Sequence, residues 1–482
     1  MDAATQQCLA SAQYPEQEMA ITSLHTGWAE QSPGAWWENT KLAIQKLRSS
    51  ASYDSRDIGA IGIAYQMHGL VLVDAQQNVL RDSIIWCDSR AVPYGESAFD
   101  HIGHSECLSC LLNSPGNFTA AKLAWVKENE PDIYKRIDKV LLPGDFIAMK
   151  LTGTTTTSIS ALSEAVLWDF SDDELSRAVL GYFGFDRRLF PAVQDVFSEH
   201  GTLSAEVAQL LNLRPGIPVT YKAGDQPNNA LSLNVLNPGE VAATAGTSGV
   251  IYGVSDALTY DRESRVNSFA HVNYTTQQKR IGVLLCINGT GIANKWMAGL
   301  CGEKTYRELD ASIKNIPAGA EGLSFLPFGN GAERMLQNRL VGAQLSGIDY
   351  NRHTMLHLYR AGQEGVAFAF RYGLDIMREN GMQPSVIRAG RANMFQSEVF
   401  TEAFVNATGV PVELYRNDGS VGAALGAGIG ARIYTSGAEA FAGLRPVKRV
   451  EPRQSALYEE PYARWKDLLQ QQLGQPAEVA EV

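Results

Sequence analysis

Cysteine is scarce: six residues (Cys8, Cys87, Cys107, Cys110, Cys286 and Cys301) are scattered over 482 positions, too few and too far apart for a disulfide framework. Long apolar runs are missing too. None reaches the roughly 18 residues needed to span a bilayer, and the first thirty positions, with Asp2, Gln6, Gln7, Glu16 and Glu18, hold no apolar stretch of signal-peptide type. A basic field is absent, since 41 Lys plus Arg face 52 Asp plus Glu for a net charge of −11. That excess speaks against nucleic acid as a partner, while backbone N–H groups remain able to hold a small anion locally. The expected setting is cytoplasmic, with no membrane contact. Internal repeats and low-complexity segments are lacking, which excludes solenoids and propellers. Neither a Walker A segment nor a Gly-x-Gly-x-x-Gly turn occurs, and no paired-carboxylate or Ser-His-Asp spacing stands out. What remains is ordinary globular composition, 45% hydrophobic and 19% charged, in a chain long enough for two or three domains.

Strand-like and helix-like segments alternate, which makes the chain mixed α/β. Ser32-Pro33 is a cap followed by a first-turn proline, and Trp36, Thr40, Ala43, Ile44 and Leu47 continue at helical spacing, so a helix is expected near 34–48. Ile58 to Gln66 reads as a buried strand, and Leu70–Val73 with Val79–Trp86 as a hairpin packed beside it around the polar turn 74–78. Further on, the pattern predicts a helix over 118–137, a strand over 219–223 and a strand pair over 241–245 and 250–254. A long helix over 354–380, ended by Gly381, follows from Met355, Leu358, Gly362, Gly365, Ala369, Tyr372 and Ile376. In the tail, Tyr458, Tyr462, Trp465, Leu469 and Leu473 form one helical stripe, which predicts docking on the body, with 474–482 frayed. A domain junction is placed around 228–238.

Several residues are candidates for chemistry. Lys222-Ala223-Gly224-Asp225-Gln226-Pro227 puts a carboxylate at the end of an apolar strand. Asp225 is either a helix N-cap or a general base facing a ligand crevice, and the two readings are compatible. Ala245-Gly246-Thr247-Ser248-Gly249 is either a glycine hairpin turn or a phosphate cradle. His68, between Met67 and Gly69 at a strand end, is a site residue or a core histidine. The glycines at 419, 422, 426, 428 and 430 suit a tightly packed helix. No metal site is expected: the run His101, His104, Cys107, Cys110 turns by about 60° per step on a helix, so its ends diverge.

In this order the pieces resemble the FGGY carbohydrate kinases, over nearly the whole chain. Gln66-Met67-His68-Gly69 is similar to a sugar motif of that family, and Trp86-Cys87-Asp88-Ser89-Arg90 to its Trp-x-Asp-x-Arg stretch. Phe118 through Asn129 resembles the first family signature, with Asn117 off pattern at its opening, and Ala343 through Glu364 the second, with Gly362 and Gln363 off pattern. The resemblance implies that Asp225 is the catalytic base, followed here by Gln226 where the family has asparagine. It also implies that Gly246, Thr247 and Ser248 bind phosphate, and that Arg388 to Asn393 is the adenosine motif, with Gly390 and Asn393 as nucleotide contacts.

The implied fold has two ribonuclease-H-like domains of the actin and hexokinase type with a cleft between them. Residues 1–230 would bind sugar, 231–440 would bind nucleotide, and 441–482 would form a tail with a docking helix. The implied reaction is ATP- and Mg²⁺-dependent phosphorylation of a ketopentose, D-xylulose first, with Gln66, Met67 and His68 orienting the sugar. Gluconate, fuculose, ribulose or another polyol is an alternative acceptor, a non-catalytic sugar-binding regulator an alternative role, and a homodimer is allowed. These kinases open on a strand, an Asp-x-Gly-Thr motif and a second strand, whereas Met1 to Gln7 resembles the turn after that second strand. Two inner strand edges are therefore expected without partners, an aggregation liability.

Overall fold

Two parallel strands organise the first half of the chain. The computed structural model describes residues 1–49, 53–416 and 419–474. Strand β1 (Ile61–Tyr65) is followed by β2 (Val71–Val73), β3 (Lys139–Leu141) and β4 (Val219–Gly224). β4 pairs with β1 in parallel, ending with Gly224 opposite Tyr65. All six residues of β4 are buried, as parallel strands covered by helices on both faces require. Helices α1 (Pro33–Ser49), α2 (Thr119–Asn129), α3 (Pro143–Thr152) and α4 (Ile159–Glu164) belong to this half, with α3 packed on both strands and α4 on β4. Asp145 of α3 and Lys222 of β4 form a buried ion pair at 2.6 Å, and Lys222 Nζ also donates to the Thr156 carbonyl at 2.7 Å.

Helix α5 (Asp225–Ser232) leads into the second half, which is built on a seven-stranded mixed sheet. Its strands are β5 (Glu240–Ala245), β6 (Gly249–Ser255), β7 (Asn267–Ala270), β8 (Ile281–Ile287), β9 (Val386–Gly390), β10 (Val412–Tyr415) and β11 (Lys448–Val450). Their spatial order is β7-β8-β6-β5-β9-β10-β11. β5 and β6 form the expected antiparallel pair, and β9 lies parallel to β5. Helices α6 (Gly291–Leu300), α7 (Met355–Glu379) and α8 (Glu398–Thr408) belong to this half.

Helix α9 (Gly419–Gly430) crosses back onto β1 and β4, and its glycines are packing devices. A Cβ on Gly430 would stand 2.0 Å from the Thr220 carbonyl oxygen, and one on Gly426 2.6 Å from the Tyr221 ring. Helix α10 (Ala456–Gly474) docks as its stripe predicts: Trp465 is fully buried and donates its indole N–H to the Phe325 carbonyl at 2.8 Å. The expected fraying beyond Gly474 falls on 475–482, outside the described residues. Among the described residues no helix is long and apolar enough to cross a membrane.

Two expectations need correction. The helix placed over 118–137 stops at Asn129 and restarts as the short turn Pro131–Tyr134, because Pro131 has no N–H to continue the ladder and disfavours helix at the residue before it. The hairpin over 70–86 is reduced to single bridges, Val73 to Val79 and Leu70 to Ile84. Its first arm ladders with β3, and Ser83–Ile84 pairs with Glu30–Gln31. Alternating apolar residues mark strands without naming partners far away in the chain. No strand among the described residues pairs with the second edge of β1. A largely apolar cavity of about 700 Å³ runs beside it, walled by Trp36, Ile44, Ile147 and Leu213.

The buried Lys222–Asp145 pair sets a stability test. Lys222→Met alone strands the Asp145 carboxylate and is expected to cost about 3–5 kcal/mol in urea denaturation, whereas Lys222→Met with Asp145→Leu recovers most of that loss.

Candidate active site

Parallel pairing brings the first two motifs together. Because Tyr65 lies opposite Gly224 and both strands run the same way, Gln66-Met67-His68 and Asp225 emerge side by side at the strands' carboxyl ends, where α/β sheets bind ligands. A cavity of about 890 Å³ opens there between the two halves. Gln66, Met67, His68 and Asp225 line it from the first half and Ser248, Glu333 and Arg334 from the second.

His68 is held from four directions. Its backbone is left-handed, with φ 62°, and the buried Lys122 Nζ donates to its carbonyl at 2.9 Å and to that of Ile85 at 3.0 Å. Its ring lies between Phe118, 4.7 Å away, and Phe269, 5.5 Å away. Nδ1 is 2.9 Å from the Glu164 carbonyl oxygen, which can only accept, so Nδ1 carries the proton. Burial, reinforced by the Lys122 charge, lowers the imidazole pKa to about 3. The ring is thus neutral at physiological pH, and Nε2 is left as an acceptor for a hydroxyl.

Asp225 opens α5, but Gly224 occupies the cap position and no side chain caps this helix. The structure therefore separates the two readings of Asp225: its carboxylate faces the cavity instead of closing its own helix. Gln226 Nε2 donates to Asp225 Oδ2 at 3.0 Å, and the helix N-terminus favours the anion. Asp225 is exposed to the cleft, and desolvation by the surrounding walls raises its pKa above the ordinary aspartate value, with Gln226 opposing. Behind it lies Glu164, 1% exposed, whose pKa is pushed well above the carboxylate range by burial and then by the Asp225 charge.

The second half contributes the turn between β5 and β6. Thr247 and Ser248 are exposed there, and the start of α6 sits on the turn, Gly291 N donating to the Gly246 carbonyl at 2.7 Å and Ile292 N to that of Thr247 at 3.2 Å. A Cβ on Gly291 would fall 2.4 Å from the Gly246 oxygen, so only glycine allows this approach. β9 ends beside the same turn, and a Cβ on Gly246 would meet Asn393 Nδ2 at 3.4 Å. Of the predicted nucleotide residues, Ser248 alone lines the 890 Å³ cavity; Gly246, Thr247, Gly390 and Asn393 stand outside its lining. Gly246-Thr247-Ser248 is a hairpin turn, and its exposed hydroxyls leave the phosphate reading open.

Residues 5–232 match the FGGY family of carbohydrate kinases, N-terminal domain, and residues 241–431 match its C-terminal domain. The chain belongs to the FGGY family. This FGGY chain is 30% identical over 434 residues to the xylulose kinase of Escherichia coli K12, covering 89% of this chain and 87% of that protein. It is 27% identical over 474 residues to the L-xylulose/3-keto-L-gulonate kinase of the same strain, covering 96% and 93%. The crystal structure of xylulose kinase from Rhodospirillum rubrum superposes with a TM-score of 0.85 at 26% identity, covering 94% and 93%. The chain is a sugar kinase with the actin and hexokinase type of fold, and ATP is the phosphoryl donor of its family.

Trp86, 57% exposed, brings its family stretch to the cavity wall. Asn288, Glu333 and Arg334 line the cavity as well, and no motif marked them. Glu333 and Arg334 lie on a single short helical turn, Glu333–Leu336, too brief to give a periodic signal. Glu164 had a usable signal, as a lone carboxylate inside the apolar run from Ile159 to Trp168. His104 of the histidine and cysteine run pairs with Asp100 at 2.9 Å and stacks on Phe99, and Cys107 is buried.

Histidine NMR tests the His68 geometry. The ring is expected to stay neutral and protonated at Nδ1 from about pH 5 to about pH 8, and a titration in that window would contradict it.

Proposed function

We propose that this FGGY kinase transfers the γ-phosphoryl group of ATP to D-xylulose, giving D-xylulose 5-phosphate, with Asp225 as general base. The observation that carries the reading is the Asp225 carboxylate facing a cavity it shares with His68 and Ser248. Support for the acceptor comes from the similarity to xylulose kinases. In this reading residues 1–230 supply the sugar side, 231–440 the nucleotide side, and 441–482 brace the second half.

The reacting hydroxyl gives its proton to an Asp225 Oδ as its oxygen bonds to the γ-phosphorus. The bond from that phosphorus to the β,γ-bridging oxygen breaks, and ADP leaves. Such a transfer needs alignment and charge stabilisation more than covalent help. Gln66 and Met67 shape the sugar wall, and His68 Nε2 accepts from a second hydroxyl and so fixes which end of the sugar meets Asp225. The backbone and hydroxyls of Gly246, Thr247 and Ser248 hold phosphate oxygens, while Gly390 and Asn393 face the nucleoside. No group of three or more His, Cys, Asp or Glu able to hold a metal occurs among the described residues. Bound to the nucleotide phosphates, Mg²⁺ would neutralise their charge. Closure of the cleft excludes water, the competing acceptor.

Electrostatics favours an uncharged acceptor. Glu96, Asp225, Glu263 and Glu333 line the cavity against Arg334 and a neutral His68, so a sugar acid such as gluconate meets net repulsion. Turnover on a panel of xylulose, ribulose, fuculose and gluconate is expected to rank xylulose first and gluconate last. Sugar binding without sugar-dependent ADP release would reject the kinase reading in favour of a sugar-binding regulator.

Asp225→Ala is expected to lower kcat about 100- to 10,000-fold while xylulose binding stays within a few-fold. Because desolvation raises the Asp225 pKa, the ionised base is lost as pH falls. The acid limb of kcat/KM should therefore lie above the usual aspartate value of about 4 and vanish in Asp225→Ala.

A further inference from the structure

Arg334 reaches from the second half of the molecule across the cleft into the first. Its Nη1 donates to Ser114 Oγ at 2.7 Å on the far side and to Ser264 Oγ at 3.0 Å on its own side. The guanidinium carbon stands 5.0 Å from the centre of the Phe118 ring. Phe118 in turn packs edge-on against His68 at 4.7 Å, and Phe269 of β7 completes the clamp on that imidazole. The seat is shaped for the guanidinium: Gly116 has φ +44°, and a Cβ there would fall 2.3 Å from Arg334 Nη2. The loop that carries Arg334 is tied down, with left-handed backbone at Glu333, Gln337 and Asn338 and a 3.0 Å bond from Gln337 Nε2 to Glu263 Oε2. Burial lowers the Arg334 pKa to about 10, so it remains cationic at neutral pH.

We propose that Arg334 is a positioning residue: by holding Ser114 and Phe118 from across the cleft, it presses the sugar-side wall onto His68 and couples closure of the two halves to recognition of the acceptor. Removing a charged hydrogen bond of this kind weakens an interaction roughly 10- to 100-fold. The planar fork spans two serines and a ring face at once, which a lysine ammonium cannot reproduce. The proposal rests on the kinase reading only for its kinetic consequence, since the contacts of Arg334 with Ser114, Ser264 and Phe118 are made within the chain.

The test has a substrate-free arm and a kinetic arm, each on the full chain. In hydrogen exchange without ligands, Arg334→Gln is expected to speed exchange at 112–118 and 66–69, on the half opposite the substitution. Faster exchange confined to 330–341 would overturn the proposal. In kinetics, Arg334→Gln should raise KM for xylulose about 10-fold or more with KM for ATP unchanged within about twofold, and Arg334→Lys should fall between. Ser114→Ala should give a smaller rise in the same direction, and adding it to Arg334→Gln should cost nothing further. Equal shifts in both KM values, or additive losses, would overturn the coupling. If Arg334→Gln does not fold, Ser114→Ala carries both arms with the exchange criteria reversed: faster exchange at 330–341, now the half opposite the substitution, supports the clamp, and faster exchange confined to 112–118 overturns it. Should the wild type phosphorylate no sugar, the proposed function fails while the exchange result still decides the clamp.

Discussion

Tyr65 lies opposite Gly224 in a parallel ladder, and that register governs the rest of the site. Had either strand slipped by one residue, its side chains would change faces, and His68 and Asp225 would leave the strand ends on different sides of the sheet. Much of the first half secures this pairing. The Lys222–Asp145 ion pair ties β4 to α3, and the Gly426 and Gly430 surfaces let α9 lie directly on β4. The second edge of β1 borders an apolar cavity, so helices and side chains carry that flank where a further strand would share the load.

Water exclusion sets the charge states around the cleft. The same desolvation keeps His68 neutral and raises the pKa values of Glu164 and Asp225. A neutral imidazole beside a carboxylate fits proton abstraction from one hydroxyl while another is read as a donor. Because Glu164 accepts from His68 through its main chain and packs its carboxyl near Gly224, one residue braces both His68 and the strand end that carries Asp225.

Motifs that act locally were legible in the chain. Gln66 to Gly69, the strand ending at Asp225 and the turn 246–248 are contiguous segments whose residue types require a strand end or a tight turn, and each is found there. The α10 stripe was legible for the same reason, since one helix face carries its whole signal. Partner choice was not. Alternation marked Leu70–Val73 as a strand but could not name Lys139–Leu141 as its neighbour, and periodicity carried a helix past Pro131, where the backbone could not follow.

The sequence by itself determined the mixed α/β class, the family and the short runs that carry its chemistry, because these depend on composition and on neighbours a few residues apart. Tertiary structure decided that Asp225 faces a cavity instead of capping its helix, that Glu164 sits behind it, and that Arg334 seats on Gly116 across the cleft. Those relations join residues tens to hundreds of positions apart, and only the packing of two sheets against shared helices brings them within contact.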